Sequence, residues 1–337
     1  MNLQTSKKNS PNVTVIGNGS WATAQMLLLA QNLETVRWFI RDEKMIDYIR
    51  LYGRNSRYLK SAKLNASKII MSCDINSLVC DADIIIIAVP SAFCKKILGE
   101  ITCDISKKFT VSTTKGIIPD EHLTLSEYMN EHFNVPFANM CIISGPCHAE
   151  EIALQRLSYL TFASKKTEAA EAIAKLYKTS YVRAVISTDV YGTEYGAILK
   201  NIYAVGAGIC SGLGYGDNFT AVFTANAHRE MKRFLNESYP SKRNTSRSSY
   251  LGDLLVTCYS KFSRNRTFGT LIGKGYSPEE AIAEMKMIAE GYYSARGIYE
   301  VNKRLNISMP IAKAVYKILY TRASAVRQME LVAEELM

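Results

Sequence analysis

Lys200 and Asn201 interrupt an otherwise apolar run, Ala197-Ile198-Leu199 before them and Ile202-Tyr203-Ala204-Val205 after. A buried lysine is costly unless it is paired or used, and desolvation pulls a lysine pKa toward the range useful for proton transfer. The alternative is a lysine that snorkels at a helix surface. A second polar island, Asp253, sits in Leu251-Gly252-Asp253-Leu254-Leu255-Val256-Thr257. It could pair with Lys200 or cap a helix, as Asp after Gly often does. A third set, Ser263-Arg264-Asn265-Arg266-Thr267-Phe268-Gly269, gathers guanidinium and amide donors at a loop-to-helix junction. Such donors suit a phosphate, or form an ordinary basic turn.

The elements that would position these groups begin far upstream. Thr14-Val15-Ile16 is a β-branched run that enters Gly17-Asn18-Gly19-Ser20-Trp21-Ala22 and leaves as a helix to about residue 32. In this Gly-x-Gly-x-x-Ala turn Gly17 permits the tight turn, Gly19 lets backbone approach a pyrophosphate, and Ala22 allows the helix to pack close on a sheet. The phosphates would meet the free N–H groups at the helix N-terminus. Val36-Arg37-Trp38-Phe39-Ile40 reads as a second strand followed by Arg41 and Asp42. An acidic residue there accepts from a ribose 2′-hydroxyl and an arginine holds a 2′-phosphate, so the choice between NAD and NADP stays open; Arg41 could also stack on adenine, and Asp42 could cap the next helix.

The run Asp83-Ile84-Ile85-Ile86-Ile87-Ala88-Val89-Pro90 predicts a parallel strand buried on both faces, with Val89, Pro90 and Ser91 facing the cofactor. Strand 109–114 runs into Lys115-Gly116, which places a lysine at the edge where ligands bind, either aimed at an anion or exposed to solvent. Strand 140–144 turns through Gly145-Pro146-Cys147-His148-Ala149 into a helix, and strands 159–163 and 182–186 flank a helix over 167–178. From about residue 189 the apolar period becomes helical, with helices expected over 191–209, 218–235, 250–259, 278–289, 291–305 and 310–319. The expected fold is α/β: a doubly wound, mostly parallel Rossmann sheet over residues 1–188, then an all-helical domain over 189–337.

With 337 residues, 47% of them hydrophobic, the chain can bury two cores. No apolar run is long enough to span a bilayer and residues 1–12 are polar, so the expectation is a cytoplasmic protein without membrane insertion. Eight cysteines scattered without a C-x-x-C pair read as reduced, mostly buried thiols. A net charge of +10 favours anionic partners. The basic residues are dispersed apart from Lys242, Arg243 and Arg247 in a loop over 238–249, and no nucleic-acid-binding signature accompanies them.

Six ordered motifs carry a family resemblance: Gly-x-Gly-Ser-Trp-x-Thr-Ala at 17–24, Thr-Lys-Gly at 114–116, Ser-Gly-Pro-x-x-Ala at 144–149, Leu-Lys-Asn-x-Tyr-Ala-x-Gly-Ala-Gly at 199–208, Gly-Asp-Leu-x-x-Thr-Cys at 252–258 and Ser-Arg-Asn-Arg at 263–266. From about residue 13 to 320 the chain resembles bacterial NAD(P)-dependent glycerol-3-phosphate dehydrogenase. The resemblance implies that Lys200 is the general acid/base at the C2 oxygen, that Asp253 orients and tunes it, and that Lys115 contacts substrate near the transferring carbon. It further implies that Gly145, Cys147 and His148 touch the glycerol phosphate and that Ser263, Arg264 and Asn265 gather its phosphate. Gly17, Gly19, Ser20, Trp21, Ala22, Arg41, Lys115, Ala149, Arg264, Ile288 and Glu290 would line NAD or NADP.

Cys147 stands where serine is frequent, Ile40 where histidine or arginine is, and the loop before Leu251 is basic and serine-rich where glycine is usual. The implied partner is a small phosphorylated substrate, not nucleic acid, with a homodimer left open and no metal required. The implied role is supply of glycerol phosphate for phospholipids. Two alternatives compete: a related dehydrogenase of another small hydroxy acid, which has no need of the Ser263-Arg264-Asn265 cluster, and a non-catalytic dinucleotide sensor, which has no need of Lys200 and Asp253.

Overall fold

The computed structural model describes residues 10–285 and 288–336; the polar stretch 1–9 and positions 286–287 of the helix expected over 278–289 lie outside the described residues. The described chain forms two compact units. One comprises residues up to Val89 with Phe93–Thr114 and Leu125–Val190; the other comprises Pro90–Ala92, Lys115–Thr124 and the chain from Tyr191 onward.

Along the first part of the chain run β1 (Val13–Ile16), α1 (Ser20–Asn32), β2 (Val36–Phe39), α2 (Glu43–Tyr52), β3 (Ile69–Ser72), α3 (Ile75–Val79), β4 (Ile84–Ile87) and α4 (Ser91–Leu98). They are followed by β5 (Phe109–Ser112), α5 (Leu125–Phe133), β6 (Met140–Ser144), α6 (Ala149–Ala153), β7 (Ser158–Ala163), α7 (Thr167–Lys175) and β8 (Val182–Ser187). The strands order as β3-β2-β1-β4-β5-β6-β7-β8, parallel except that β6 and β7 are antiparallel. Four buried isoleucines make β4, as a strand covered on both faces requires. Strand order reverses between β1 and β4, and ligands of open α/β sheets bind beyond the strand carboxyl ends at such a switch point. Gln25, a fully buried polar side chain of α1, is satisfied there, accepting from Tyr177 Oη at 2.6 Å and donating to Thr113 Oγ1 at 3.3 Å.

The reading of all cysteines as thiols is corrected by this unit. Cys80, just past α3, and Cys103, in the loop after α4, form a disulfide across Cα atoms 5.8 Å apart. That spacing lies within the bridging range, and it arises because adjacent strands return the chain to the same end of the sheet, which no C-x-x-C pattern signals. The other six cysteines are free, four of them buried.

The second unit holds α8 (Val190–Gly212), α9 (Asp217–Ser238), α10 (Asp253–Tyr259), α11 (Arg264–Gly273), α12 (Pro278–Met285), α13 (Glu290–Leu305), α14 (Pro310–Tyr320) and α15 (Ala325–Glu335). Its core is built around α8, whose Ile198, Leu199, Ile202, Tyr203 and Val205 are fully enclosed. The small residues of α8 have a specific use: a Cβ on Gly208 would collide with the Arg266 backbone, and one on Gly269 with the Val205 backbone. Helices α8 and α11 therefore touch backbone to backbone, which only glycine allows. Helix α10 begins later than the expected 250–259, because Ser248–Gly252 forms a wider π turn whose Tyr250 packs against Gly196 of α8. The loop over 238–249 is pinned to α9: Arg243 donates to the Leu235 carbonyl at 2.6 Å, and His228 Nε2 to the Thr245 carbonyl at 2.9 Å. Glu230 of α9 accepts from the Ile311 and Ala312 N–H groups at 2.8 and 2.9 Å, capping α14. Burial pushes its carboxyl up to about 7 against the pull of those bonds.

Candidate active site

The central helix buries Lys200 to 5% exposure. Its Nζ donates to the Asp253 carboxylate and to Thr257 Oγ1 at 3.0 Å. Asp253 and Thr257 lie one turn apart on α10 and so share a face. The Thr257 hydroxyl donates to the Asp253 carbonyl at 2.5 Å, which leaves its lone pairs for the ammonium. Asp253 thus opens α10 without capping it; its side chain is the counter-charge of Lys200. The second carboxylate oxygen lies 3.5 Å from Lys115 Nζ, so one buried carboxylate serves two ammonium groups. Asn201 holds the second lysine in place by donating from Nδ2 to the Lys115 carbonyl at 2.8 Å.

Around the start of α11, Ser263 caps the helix by accepting from the Arg266 N–H at 3.2 Å. Asn265 Oδ1 accepts from the Gly291 N–H at 2.8 Å, and Arg264 is exposed. Beside Gly291, Glu290 accepts from the Ser91 N–H at 2.8 Å and from its hydroxyl at 2.5 Å. Burial raises the Glu290 pKa, opposed by those two bonds and by the charge of Arg264. Gly116 leaves room for this contact, since a Cβ there would strike both the carboxylate and the Ser91 hydroxyl. Ile288 is half-buried just before.

The sheet unit carries the other sequence-selected residues. Gly17 adopts φ +120, and a Cβ on it would lie 2.5 Å from the Ala88 carbonyl oxygen, so the turn admits glycine alone. Trp38 Nε1 donates to the Gly17 carbonyl at 2.6 Å and steadies the turn. Gly19 has nothing within 4 Å of where its Cβ would be, α1 has no side-chain cap, and its first turn has no acidic residue. Open space, unsatisfied N–H groups and the positive end of the helix dipole fit a dinucleotide pyrophosphate. Ser20 and Ala22 are buried and Trp21 half-buried in that first turn. Gly145 also adopts φ +120, with a Cβ excluded by the Tyr159 carbonyl at 2.6 Å. The Cys147 thiol donates to the Gly145 carbonyl at 3.3 Å, closing the turn that leads through His148 into α6, where Ala149 is buried. Asp42 stands at the N-cap of α2 as expected, but its side chain makes no cap bond and pairs with Arg57 Nη2 at 2.7 Å. Arg41 is exposed.

Within the helical unit the structure brings together Lys115, Lys200 and Asp253, and separately Asn265 and Glu290 through Gly291. Gly17, Gly19, Ser20, Trp21, Ala22 and Arg41 belong to the glycine-turn end of the sheet unit, while Gly145, Cys147, His148 and Ala149 follow β6. Three groups act here to which the sequence assigned no role. Asn201 and Thr257 stand in the motifs, one adjoining Lys200 and the other one turn after Asp253 in an apolar helix; Arg57 carried no signal, lying in an irregular stretch.

Residues 12–170 match the N-terminal family model, and residues 189–330 the C-terminal family model, of NAD-dependent glycerol-3-phosphate dehydrogenase. The glycerol-3-phosphate dehydrogenase [NAD(P)+] of Bacillus subtilis is 36% identical over 310 residues, 91% of this chain and 90% of that protein. The enzyme of the same name from Clostridium botulinum is 34% identical over 311 residues, 92% and 93% of the two chains. The crystal structure of glycerol-3-phosphate dehydrogenase from Coxiella burnetii superposes with a TM-score of 0.88 at 26% identity, covering 96% of this chain and 99% of that one. The chain belongs to the NAD-dependent glycerol-3-phosphate dehydrogenase family.

Proposed function

We propose that this chain interconverts sn-glycerol 3-phosphate and dihydroxyacetone phosphate with NAD(H) or NADP(H) in the cytoplasm, and so supplies glycerol phosphate for phospholipid synthesis. Among the described residues no helix is long and apolar enough to cross a membrane. The observation that carries the reading is the enclosed Lys200 ammonium, held by Asp253 and Thr257. A bound nicotinamide supplies or accepts the hydride. In the reducing direction Lys200 donates a proton to the C2 oxygen as negative charge develops there, and in the oxidising direction its neutral amine takes the hydroxyl proton. Asp253 and Thr257 fix where Nζ points, and Lys115 adds a second positive charge near C2. Arg264, the Ser263 hydroxyl and the Asn265 amide donate to the substrate phosphate, the acceptor oxygens of Ser263 and Asn265 being already engaged. The turn Gly145-Pro146-Cys147-His148 meets the glycerol end, with the Cys147 thiol occupied in closing that turn. Residues Gly17, Gly19, Ser20, Trp21, Ala22, Arg41, Lys115, Ala149, Arg264, Ile288 and Glu290 serve the dinucleotide.

Loss of NADH, then of NADPH, on adding dihydroxyacetone phosphate tests the activity. Lys200→Ala should lower kcat by about 10²–10⁴-fold, the usual worth of a general acid, with the dissociation constant of the dinucleotide unchanged. A variant that keeps a tenth of the wild-type kcat would remove Lys200 from the proton-transfer step.

A further inference from the structure

We propose that Arg57 makes this chain select NADP(H) over NAD(H), by withdrawing Asp42 from the ribose and presenting its own guanidinium to a 2′-phosphate. The proposal rests on the dinucleotide reading of the glycine turn and deepens it. In this fold the adenosine ribose lies at the carboxyl end of the second strand, where a carboxylate accepts from a 2′-hydroxyl and a cation holds a 2′-phosphate. Asp42 is the carboxylate at that end of β2, and its Oδ2 is taken by Arg57 Nη2 at 2.7 Å. One of the two oxygens that would favour NAD is thereby engaged and its charge offset. Exposed Arg41 adds a second guanidinium at the same strand end.

The placement of Arg57 is built in. Asn55 is 1% exposed and uses both ends of its amide. Its Oδ1 accepts from the Arg57 and Tyr58 N–H groups at 3.0 and 3.1 Å. Its Nδ2 donates to the Asn18 carbonyl at 3.2 Å and to Thr23 Oγ1 at 2.9 Å. The backbone at Arg57 is therefore fastened to the glycine turn itself, between Gly17 and Gly19. The guanidinium, at 64% side-chain exposure, uses one nitrogen for Asp42. Five N–H donors in a fixed fork leave it able to grip a phosphate while keeping that bond.

The full chain is to be titrated with NADPH, NADH and adenosine 2′,5′-bisphosphate while its tryptophan fluorescence is followed. Its two tryptophans, Trp21 and Trp38, both flank the glycine turn. Wild type should bind NADPH at least about tenfold tighter than NADH, the worth of one charge-assisted hydrogen bond. Arg57→Ala should raise the dissociation constants of NADPH and of the bisphosphate by about that factor and leave NADH binding unchanged or tighter. Arg57→Lys, which keeps the charge and loses the fork, should fall between the two. Equal wild-type affinity for the two dinucleotides, or an Arg57→Ala loss shared equally by both, would overturn the proposal. A wild type that binds neither would overturn the dinucleotide reading beneath it.

Discussion

Replacing Asp253 with Asn keeps the shape of the side chain and removes the charge that two lysines share. Asp253 and Lys200 have side chains 2% and 6% exposed, so neither can turn to water when its partner is lost. Removing one member of such a buried pair costs about 3–5 kcal/mol, because the remaining charge is left without compensation. The exposed pair Arg50–Asp47, 60% and 67% exposed, gives the contrast: its loss is worth about 0–1 kcal/mol. Domains of this kind hold about 5–15 kcal/mol in total, so Asp253→Asn should remove a large fraction and Asp47→Asn almost nothing. Urea unfolding at neutral pH, monitored by circular dichroism, measures both. The decisive member of the set is Lys200→Met/Asp253→Asn, which removes the more deeply buried of the two stranded ammonium groups, the Lys115 side chain being 19% exposed, and should recover most of the loss while restoring no turnover. A single variant that loses less than about 1 kcal/mol, or a double variant no more stable than the single, would refute the picture of an enclosed ion pair at the reacting centre.

Two further perturbations probe the scaffold. Gly208→Ala drives a methyl group into the Arg266 backbone; overpacking of this kind costs about 1–3 kcal/mol, and since α11 carries Arg264 and Asn265 at its start, KM for dihydroxyacetone phosphate should rise more than kcat falls. Glu230 has a folded-state pKa raised to about 7 by burial, so its contribution to stability is complete below its ordinary value near 4.5 and is lost as pH rises through about 7. Wild-type thermal midpoints should therefore fall between pH 5 and 8, and those of Glu230→Gln should fall less; parallel pH profiles for the two proteins would show that Glu230 does not titrate there.

What could be read without coordinates divides along physical lines. The glycine turn, the four-isoleucine strand and the apolar α8 are local patterns, each dictated by residues adjacent in the chain, and they stand where the sequence places them. Lys200 and Asp253 could be singled out as polar groups in apolar runs, yet Asp253 remained divided between cap and counter-charge. Only the fold decides which face of α10 meets α8. The Cys80–Cys103 bridge, the edge strand β3 and the Arg57–Asp42 pair were not legible, because each depends on where an irregular loop returns. Strand β3 is four residues long with Ile70 half exposed, too short to show an alternation. Helix α15 buries little beyond Met329 and Val332, which leaves a faint apolar stripe.

Glu290 shows how the structure narrows a role that a motif leaves broad. Family resemblance assigns it to the cofactor, but both of its oxygens are taken by Ser91, and the next residue, Gly291, gives its N–H to Asn265. One hydrogen-bonded chain, Ser91 to Glu290 to Gly291 to Asn265, thus ties the segment after β4, the start of α13 and the start of α11 together inside the helical unit. A carboxylate committed in this way can serve a dinucleotide by holding Ser91 and the first turn of α13 in register. Its effect on the phosphate donors then runs through Asn265, whose amide is oriented by the bond its oxygen accepts from Gly291. Glutamine in its place could still accept from the Ser91 N–H, and its amide nitrogen could donate to the Ser91 hydroxyl oxygen in place of the bond now accepted, so the link would persist with its second bond reversed and the carboxylate charge removed.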